Sequence, residues 1–386
     1  MFSRCYATLS DFLFHHFGVD VPLPIFSFGF FVALGFLVAA YILSLELKRK
    51  EGLGLLPPIK TDVILGEPAS IKSLFLSGLL GFVLGFKLLA IALDYAAFSA
   101  NPQHFILSTE GNIVGGILGA ALFAYLKYRE KEKEKLPTPK KETINVHAYE
   151  LTGDITLMAA IGGISGAKLF YLFETPGNFQ EFINNPLESF FGGLTIYGGL
   201  IGGALVTYLY VRSKGLKFIH FADSAAPGLI LSYGIGRMGC QVSGDGDWGV
   251  PNLALKPDWM PQWLWAQSYP HNIINEGVFI EGCQEAHCMV LAQPVYPTPI
   301  YELIMASLIF GILWSVRKKI AFPGFMFSLY MAFNGVERFF IEQYRVNTKL
   351  EWIQGINATQ AEVIAILFVL VGITGMLFSY KLAKKN

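Results

Sequence analysis

The stretch GFMFSLYMAFNGVERFFIEQYRVN, Gly324–Asn347, has an apolar first half and a charged second half. On a helix, one polar stripe forms from residues at i, i+4, i+8 and i+11, namely Asn334, Arg338, Glu342 and Arg345. A charge at the centre of a membrane helix costs roughly 2.5–3.5 kcal/mol on insertion scales, so such residues face a protein interior or a watery cavity and commonly serve function. One interpretation is an ion pair between Arg338 and Glu342 that fastens neighbouring helices. The second arginine, Arg345, leaves positive charge uncompensated, which favours an anion-binding site.

The composition is that of a polytopic membrane protein. Of the 386 residues, 53% are hydrophobic and 15% are charged, with a mean hydropathy of +0.47, whereas soluble domains carry about 25% charged residues. The net charge of zero argues against a nucleic-acid partner. Many of the 40 glycines lie within apolar runs, a pattern that suits close helix packing in lipid.

The hydrophobic runs predict an all-α membrane bundle of about nine transmembrane helices. The predicted spans are Ile25–Leu47, Ser73–Phe98, Asn112–Tyr128, Asp154–Glu174, Leu194–Val211, Phe221–Cys240, Pro299–Val316, Gly324–Ile341 and Ala361–Leu382. Excess lysine and arginine marks the cytoplasmic side of a membrane. Every strongly basic cluster falls inside when the amino terminus lies outside, which places the carboxyl terminus in the cytoplasm.

We treat residues 1–386 as a single membrane-embedded domain. The mixed-charge, proline-containing segment Lys127–Glu142 is predicted to be a solvated cytoplasmic linker. Residues 241–296 are too rich in proline, tryptophan and polar side chains to span a membrane, so they predict an irregular extracytoplasmic loop region. On that side a disulfide between Cys283 and Cys288 is permitted, and free thiols are the alternative.

An internal repeat is visible between residues 71–150 and the chain that follows. GFVLGFKL (Gly81–Leu88) echoes GGISGAKL (Gly162–Leu169), and IVGGILGAAL (Ile113–Leu122) echoes IYGGLIGGAL (Ile196–Leu205). We interpret residues 71–150 as a duplicated two-helix hairpin with a charged linker, the alternative being chance similarity between glycine-rich hairpins. The second copy is taken as the working one.

A second motif, YGIGRMGCQVSGDGDWG (Tyr233–Gly249), ends the sixth predicted span. Its glycines clear space around Arg237, whose planar guanidinium offers paired donors to a phosphate. By topology, Arg237, Arg338 and Arg345 meet at one membrane face at headgroup depth. An anionic phospholipid headgroup is the expected guest, and the alternative is that these arginines only snorkel to the interface.

These motifs resemble ordered sequence blocks of the prolipoprotein diacylglyceryl transferases. The matching blocks are GRMGCQVSGDGDWG, IYGGLIGG, YPTPIYE (Tyr296–Glu302) and LYMAFNGVERFFIEQYR (Leu329–Arg345), and the likeness covers Phe26–Tyr41 and about Asp154–Leu382. The resemblance implies transfer of the sn-1,2-diacylglyceryl group of phosphatidylglycerol to the lipobox cysteine thiol of a prolipoprotein signal peptide, with release of glycerol 1-phosphate. It places the chain in a bacterial inner membrane with its active site facing outward, and we expect neither a cofactor nor a metal.

The resemblance also implies roles for single residues. The expected phosphatidylglycerol-binding residues are Arg237, Arg345, Gly198, Gly199, Tyr301 and Lys168. The expected catalytic residues are Arg338, Glu342, Tyr197 and Asp245.

Three of these assignments depart from the family pattern. The segment GDGDWG has one extra residue, so Asp247 competes with Asp245 for the position of the family's signature glutamate. Tyr197 stands where many members have histidine, and a phenol is a weak base at neutral pH. Two roles are left open for Tyr197: it accepts the thiol proton, or it only hydrogen-bonds substrate. Lys168 replaces an arginine often found in the family and lacks its bidentate fork. Cys240, where asparagine is common, is expected to be a small buried residue.

The alternative function is a transporter or channel for a phosphorylated anion, because transporters often contain internal repeats. Here the repeat covers two spans, and the predicted charges lie at one face instead of the midplane. A module that only binds precursor lipoproteins is a third possibility, and it would not need arginines that grip phosphate.

Overall fold

The structure is a computed structural model that describes residues 4–19, 25–100, 102–184, 193, 195–320, 322–346 and 358–385. Its helices are α1 (Leu9–Phe17), α2 (Ser27–Gly52), α3 (Ile71–Leu93), α4 (Tyr95–Ala100), α5 (Pro102–Leu107), α6 (Ile113–Glu134), α7 (Thr152–Glu174), α8 (Pro176–Asn184), α9 (Ile196–Ser213), α10 (Phe218–Ser243), α11 (Gln262–Trp265), α12 (Thr298–Val316), α13 (Phe325–Glu342) and α14 (Gln360–Lys385). Its strands are β1 (Ile59–Leu65), β2 (Lys140–Val146), β3 (Val278–Phe279) and β4 (Met289–Val290). Leu194 and Asn347, at the edges of two sequence segments discussed above, lie outside the described residues.

The predicted all-α membrane class is confirmed. Each predicted span coincides with a long helix, and within the described ranges five helices are long and apolar enough to cross a membrane. These are α2, α3, α7 with the turn before it, α12 and α14. The other four long helices (α6, α9, α10 and α13) carry more charge or more polar residues, so the count of nine spans stays a prediction.

Helix α10 is the centre of the bundle and packs against α2, α12 and α13. The apolar core of this part comes from α10, α12 and α13 and contains Ile230, Ala306, Ile309, Leu313 and Met326. Within a bilayer this packing is stabilised by van der Waals contact between the side chains, and not by removal of their surface from water. This core holds three helix ends in a fixed relation, and the polar residues discussed below lie on those ends.

The two repeat units form two matching antiparallel hairpins, α3 with α6 and α7 with α9. Facing glycines make the helix crossings, in the pairs Gly81–Gly119 and Gly85–Gly115 in the first hairpin and Gly162–Gly202 and Gly166–Gly198 in the second. A Cβ on any of these glycines would overlap the carbonyl oxygen of the facing glycine. The equivalent glycines thus make equivalent contacts in both hairpins, as a duplication requires.

The segment predicted to be a solvated linker has regular structure. Helix α6 continues to Glu134, and β2 then pairs antiparallel with β1, so that Ile59 lies opposite Val146. Both strands are mostly exposed and are joined by polar contacts, such as Asp62 with Lys141 at 2.8 Å. Because neither strand buries a face, the alternation of apolar and polar residues that marks a strand is absent from the sequence.

The loop region between α10 and α12 is irregular, as predicted, but it has a small core of its own. Cys5, from the segment before α1, packs there with Trp248, Tyr269, Leu291 and Val295. Strands β3 and β4 pair next to this core, and a disulfide joins Cys283 to Cys288 between them, which confirms the permitted pairing. The region therefore forms an ordered cap on one end of the bundle.

Candidate active site

Arg237 lies near the end of α10, where the chain leaves the bundle. Its guanidinium forms an ion pair with Asp247, and its Nε lies 3.3 Å from Glu302 Oε2. The guanidinium also lies over the ring of Tyr233, 5.1 Å from the ring centroid. The return of the chain to Arg237 depends on Gly244, which ends α10 with a φ of 65° and has no room for a side chain.

Arg338 and Arg345 reach the same place from α13. Arg338 Nη2 lies 3.1 Å from Glu342 Oε2, and its Nη1 lies 3.5 Å from Glu302 Oε1. Helix α13 ends at Glu342, so Arg345 lies beyond the helix, and a β-bridge to Gly249 holds its backbone. Arg345 forms an ion pair with Asp247, and its Nη1 lies 3.6 Å from Glu302 Oε1. The three arginines predicted to converge are brought together; we refer to them as the arginine cluster.

Glu302 is at the centre of the arginine cluster and was missed by the sequence analysis. Its side chain is fully buried, contacts all three guanidinium groups, and accepts a hydrogen bond from Tyr233 Oη at 2.8 Å. A signal for it was present, because Glu302 is the one charged residue in the apolar helix Thr298–Val316. A lone carboxylate in such a helix predicts a buried partner of opposite charge.

The expectation that Arg345 leaves positive charge uncompensated is wrong. Asp247, Glu302 and Glu342 all form ion pairs with the arginine cluster. A fourth carboxylate, Glu337, is buried beside them and accepts from Tyr233 Oη at 3.4 Å. Glu302 comes from α12 and Asp247 from the loop after α10. A count of the charges along α13 alone could not include them.

Asp247, and not Asp245, lies between two of the arginines. Burial alone would raise the pKa of the Asp247 carboxyl, but Arg237 and Arg345 outweigh that effect and hold the pKa below its ordinary value. Asp245 instead accepts a hydrogen bond from the backbone N–H of Asp247 at 3.3 Å, and burial raises its pKa. Of the two candidates for the signature acidic position, Asp247 has the ion-pair contacts.

Four of the expected site residues lie elsewhere, on the α7–α9 hairpin. Gly198 packs against Gly166 and Gly199 lies near Gly163, so the helix crossing accounts for both glycines. Tyr197 begins the same helix and is partly exposed. Their roles in binding substrate stay predictions.

Lys168 can be compared with its counterpart in the first hairpin. The Lys168 ammonium lies 4.6 Å from the centroid of the Tyr171 ring. The equivalent Lys87 donates to the backbone carbonyls of Phe105, Ser108 and Glu110 at 2.6–2.7 Å. A lysine at this repeat position can therefore close the loop of its own hairpin, which is an alternative to the predicted contact with substrate.

Two further expected residues border the arginine cluster. Tyr301, next to Glu302 in the first turn of α12, donates a hydrogen bond to the carbonyl of Leu264 at 2.7 Å. Cys240 is buried, as expected, and its Sγ lies 3.6 Å from Asp247 Oδ2. Tyr301 links the first turn of α12, which carries Glu302, to the cap, and Cys240 contacts the carboxylate that pairs with Arg237 and Arg345.

The arginine cluster has the properties of an anion-binding site. The three guanidinium side chains are between 11% and 25% exposed, with Arg338 the most exposed. Each guanidinium has five N–H donors, more than its carboxylate contacts use. Arg345 Nη1 is buried and, among the described residues, has no hydrogen-bond partner. A phosphate presents several acceptor oxygens in the geometry that such donors suit.

Comparison with known proteins agrees with this geometry. The family model for prolipoprotein diacylglyceryl transferase matches residues 137–378, a range that contains the whole arginine cluster and excludes the α3–α6 hairpin. A phosphatidylglycerol–prolipoprotein diacylglyceryl transferase from Corynebacterium diphtheriae is 31% identical over 202 residues, which is 51% of this chain and 68% of the relative. Proteins of the same name from Clostridioides difficile and Clostridium botulinum are 27% and 28% identical and are covered over 80% and 83% of their lengths, by 60% and 62% of this chain. The chain belongs to the prolipoprotein diacylglyceryl transferase family.

Proposed function

We propose that this protein transfers the sn-1,2-diacylglyceryl group of phosphatidylglycerol to the lipobox cysteine thiol of a prolipoprotein and releases glycerol 1-phosphate. One observation carries the proposal: Arg237, Arg338 and Arg345 converge around Glu302 at one end of a membrane bundle of this family. Both substrates are tethered to a membrane, so a site at the end of such a bundle can meet them there.

Fixed positive charge can lower the barrier of this reaction, because its leaving group is a phosphate that gains negative charge. The cysteine sulfur forms a bond to the glycerol carbon that bears the phosphate, the carbon–oxygen bond breaks, and its electron pair stays on the departing phosphate oxygen. The phosphodiester carries one negative charge and the glycerol 1-phosphate gains a second, so charge develops on the leaving group in the transition state. Guanidinium groups held in place before the reaction stabilise that charge without reorganising.

The carboxylates of the site hold the guanidinium groups in position. Glu302 contacts all three arginines, Asp247 bridges Arg237 and Arg345, and Glu342 pairs with Arg338. The phosphate oxygens take the donors that these contacts leave free, with Arg338 the most accessible. The thiol proton must leave as the sulfur attacks. Asp245 is the first candidate for accepting it, and Tyr197, a weak base at neutral pH, is the second.

We also propose that the arginine cluster faces outward from a bacterial inner membrane, with the amino terminus outside and the carboxyl terminus in the cytoplasm. The support is charge asymmetry, since the basic residues Arg49, Lys50 and Arg317 lie at the ends of α2 and α12 away from the cap. Lys381 and Lys384, near the end of α14, follow the same pattern.

The experiment uses purified protein in vesicles with phosphatidylglycerol labelled in its acyl chains and a lipobox peptide. Label is expected on the peptide cysteine, and a matched peptide with serine in its place is expected to stay unlabelled. Absence of transfer would overturn the proposal. Uptake of glycerol phosphate into the vesicles without transfer would instead support the transporter alternative, which the family match does not favour.

A further inference from the structure

A closed loop projects from the cap between Asn252 and Trp265. Asn252 is buried, its side chain donates to the carbonyl of Trp265 at 2.7 Å, and its backbone N–H donates to Pro294 at 2.8 Å. The indole of Trp265 donates to the carbonyl of Ala254 at 3.2 Å. These bonds fix the neck of the loop to the cap, so the shape of the loop is set by the fold.

The most exposed large side chains of this fixed loop are apolar, although Lys256 and Asp258 are exposed among them. Leu255 is 96% exposed, Trp259 79% and Leu253 70%, and Trp263 is also exposed. Lys256 folds back and donates to the carbonyls of Pro257 and Met260, at 3.2 and 2.9 Å. An ordered loop that leaves large apolar side chains outermost indicates an interaction surface.

The loop stands at the end of a lipid-facing surface. Tyr301 at the start of α12 donates to the carbonyl of Leu264, which fixes the loop to that helix. Down the same side of α12 come Ile304, Leu308 and Ile312, which are 41%, 63% and 43% exposed. These residues follow Tyr301 by three, seven and eleven positions and so share one helix face. The apolar surface of α12 thus continues into the loop.

We propose that residues 252–265 form a membrane-inserting loop whose leucines and tryptophans enter the lipid leaflet beside α12. Tryptophan is enriched at the membrane interface, where its ring suits headgroup depth. An apolar peptide is the less favoured occupant, because peptides are recognised in grooves or along sheet edges, whereas Leu255 and Trp259 are largely exposed. The loop would hold the cap, and with it Asp247, against the membrane surface.

The test measures the depth of the loop and does not depend on activity. Leu255→Cys and Trp259→Cys variants of the full chain carry a nitroxide label and are placed in nanodiscs of phosphatidylglycerol and phosphatidylethanolamine. The native cysteines need no removal, since Cys5 and Cys240 are buried and the other two form the disulfide. Collision of the label with oxygen, which concentrates in lipid, is compared with collision with a water-soluble nickel chelate.

The matched control is Glu276→Cys, an exposed charged position elsewhere in the same cap. Labels at positions 255 and 259 are expected to collide more with oxygen than with nickel, and the label at position 276 is expected to show the reverse. Nickel access at 255 and 259 equal to that at 276 would overturn the proposal. Protection of those two positions only after a lipobox peptide is added would also overturn it, in favour of a peptide occupant.

Discussion

The two ends of α10 carry buried charged clusters that are built differently. At the end away from the cap, Lys50 lies 3.5 Å from Asp223 and donates to the carbonyl of His220 at 2.9 Å. Asp223 also accepts from the backbone N–H groups of Gly324 and Phe327 at 2.8 and 2.9 Å, which caps the start of α13 from another helix. We call this group the capping cluster.

The two clusters differ in how completely their polar atoms are bonded. In the part of the chain that the structure describes, the buried side-chain nitrogen of Lys50 and the buried carboxylate oxygens of Asp223 all have hydrogen-bond partners. In the arginine cluster, the donor Arg345 Nη1 is buried without a hydrogen bond to any described residue, and so is the acceptor Glu337 Oε2. An unsatisfied buried donor costs about 1–3 kcal/mol, and a phosphate oxygen can accept a hydrogen bond from Arg345 Nη1. The capping cluster therefore has the features of a structural element, and the arginine cluster those of a binding site.

The largest expected effect comes from Arg237→Ala, which should lower the transfer rate by about 10³–10⁵-fold, the range for arginines that stabilise a phosphate in its transition state. The measurement is label transfer to the lipobox peptide. Arg237→Lys is the matched control: it keeps the charge, loses the bidentate fork, and should recover only part of the rate. A wild-type rate in the alanine variant, with the chain still folded, would remove Arg237 from the site.

Next in size is Asp223→Ala in the capping cluster, which should lower the free energy of unfolding by about 3–5 kcal/mol, because it leaves Lys50 buried without its partner. Thermal unfolding in detergent measures the loss as a lower Tm. The transfer rate of the protein that remains folded should be unchanged. Asp62→Ala on the exposed β1 strand is the control and should leave Tm unchanged. A specific loss of transfer with normal Tm in Asp223→Ala would contradict the comparison.

A smaller effect is expected from Glu302→Gln, which keeps the shape of the side chain but removes the charge shared by the three arginines. We expect kcat to fall by about 10–100-fold, equivalent to about 1.4–2.7 kcal/mol, because the guanidinium groups lose their fixed orientation. Separate kcat and KM values for phosphatidylglycerol, with Glu302→Asp as the conservative variant, distinguish orientation from folding. If only Tm changed, Glu302 would belong with the structural residues instead.

The smallest effect is expected from Tyr197→Phe, because Tyr197 lies on the α7–α9 hairpin and not on the helices of the arginine cluster. The transfer rate should stay within about threefold of wild type, or less than about 0.7 kcal/mol. A pH–rate profile of both proteins provides the check. A large loss together with a shifted alkaline or acid limb would show that the phenol takes part in proton transfer.

Features of this protein that depend on local physics could be predicted from the sequence. Hydrophobic runs located the long helices because the cost of inserting a segment into lipid is a sum over its own residues. The glycine repeat predicted two matching hairpins because close helix approach requires small residues at fixed intervals. Arg338 was singled out for the first of these reasons, since a charge in an apolar helix is costly whatever its partner. Arg237 was singled out by the glycines around it.

The partners of those arginines were decided by the tertiary structure. Asp247 and Asp245 differ by two positions in one loop, and only the return of that loop places Asp247 between Arg237 and Arg345. The pairing of β1 with β2 was also decided by the tertiary structure, because the two strands are far apart in the chain and neither buries an apolar face.

By itself, then, the sequence determined that this is a helical membrane protein of the diacylglyceryl transferase family, with three arginines predicted to meet at one membrane face. Only the tertiary structure decided that Glu302 is their common partner and that Asp247, from a separate loop, pairs with two of them. The physical reason is that insertion cost belongs to a residue and its helix, whereas an ion pair depends on a distance across helices that no single segment contains.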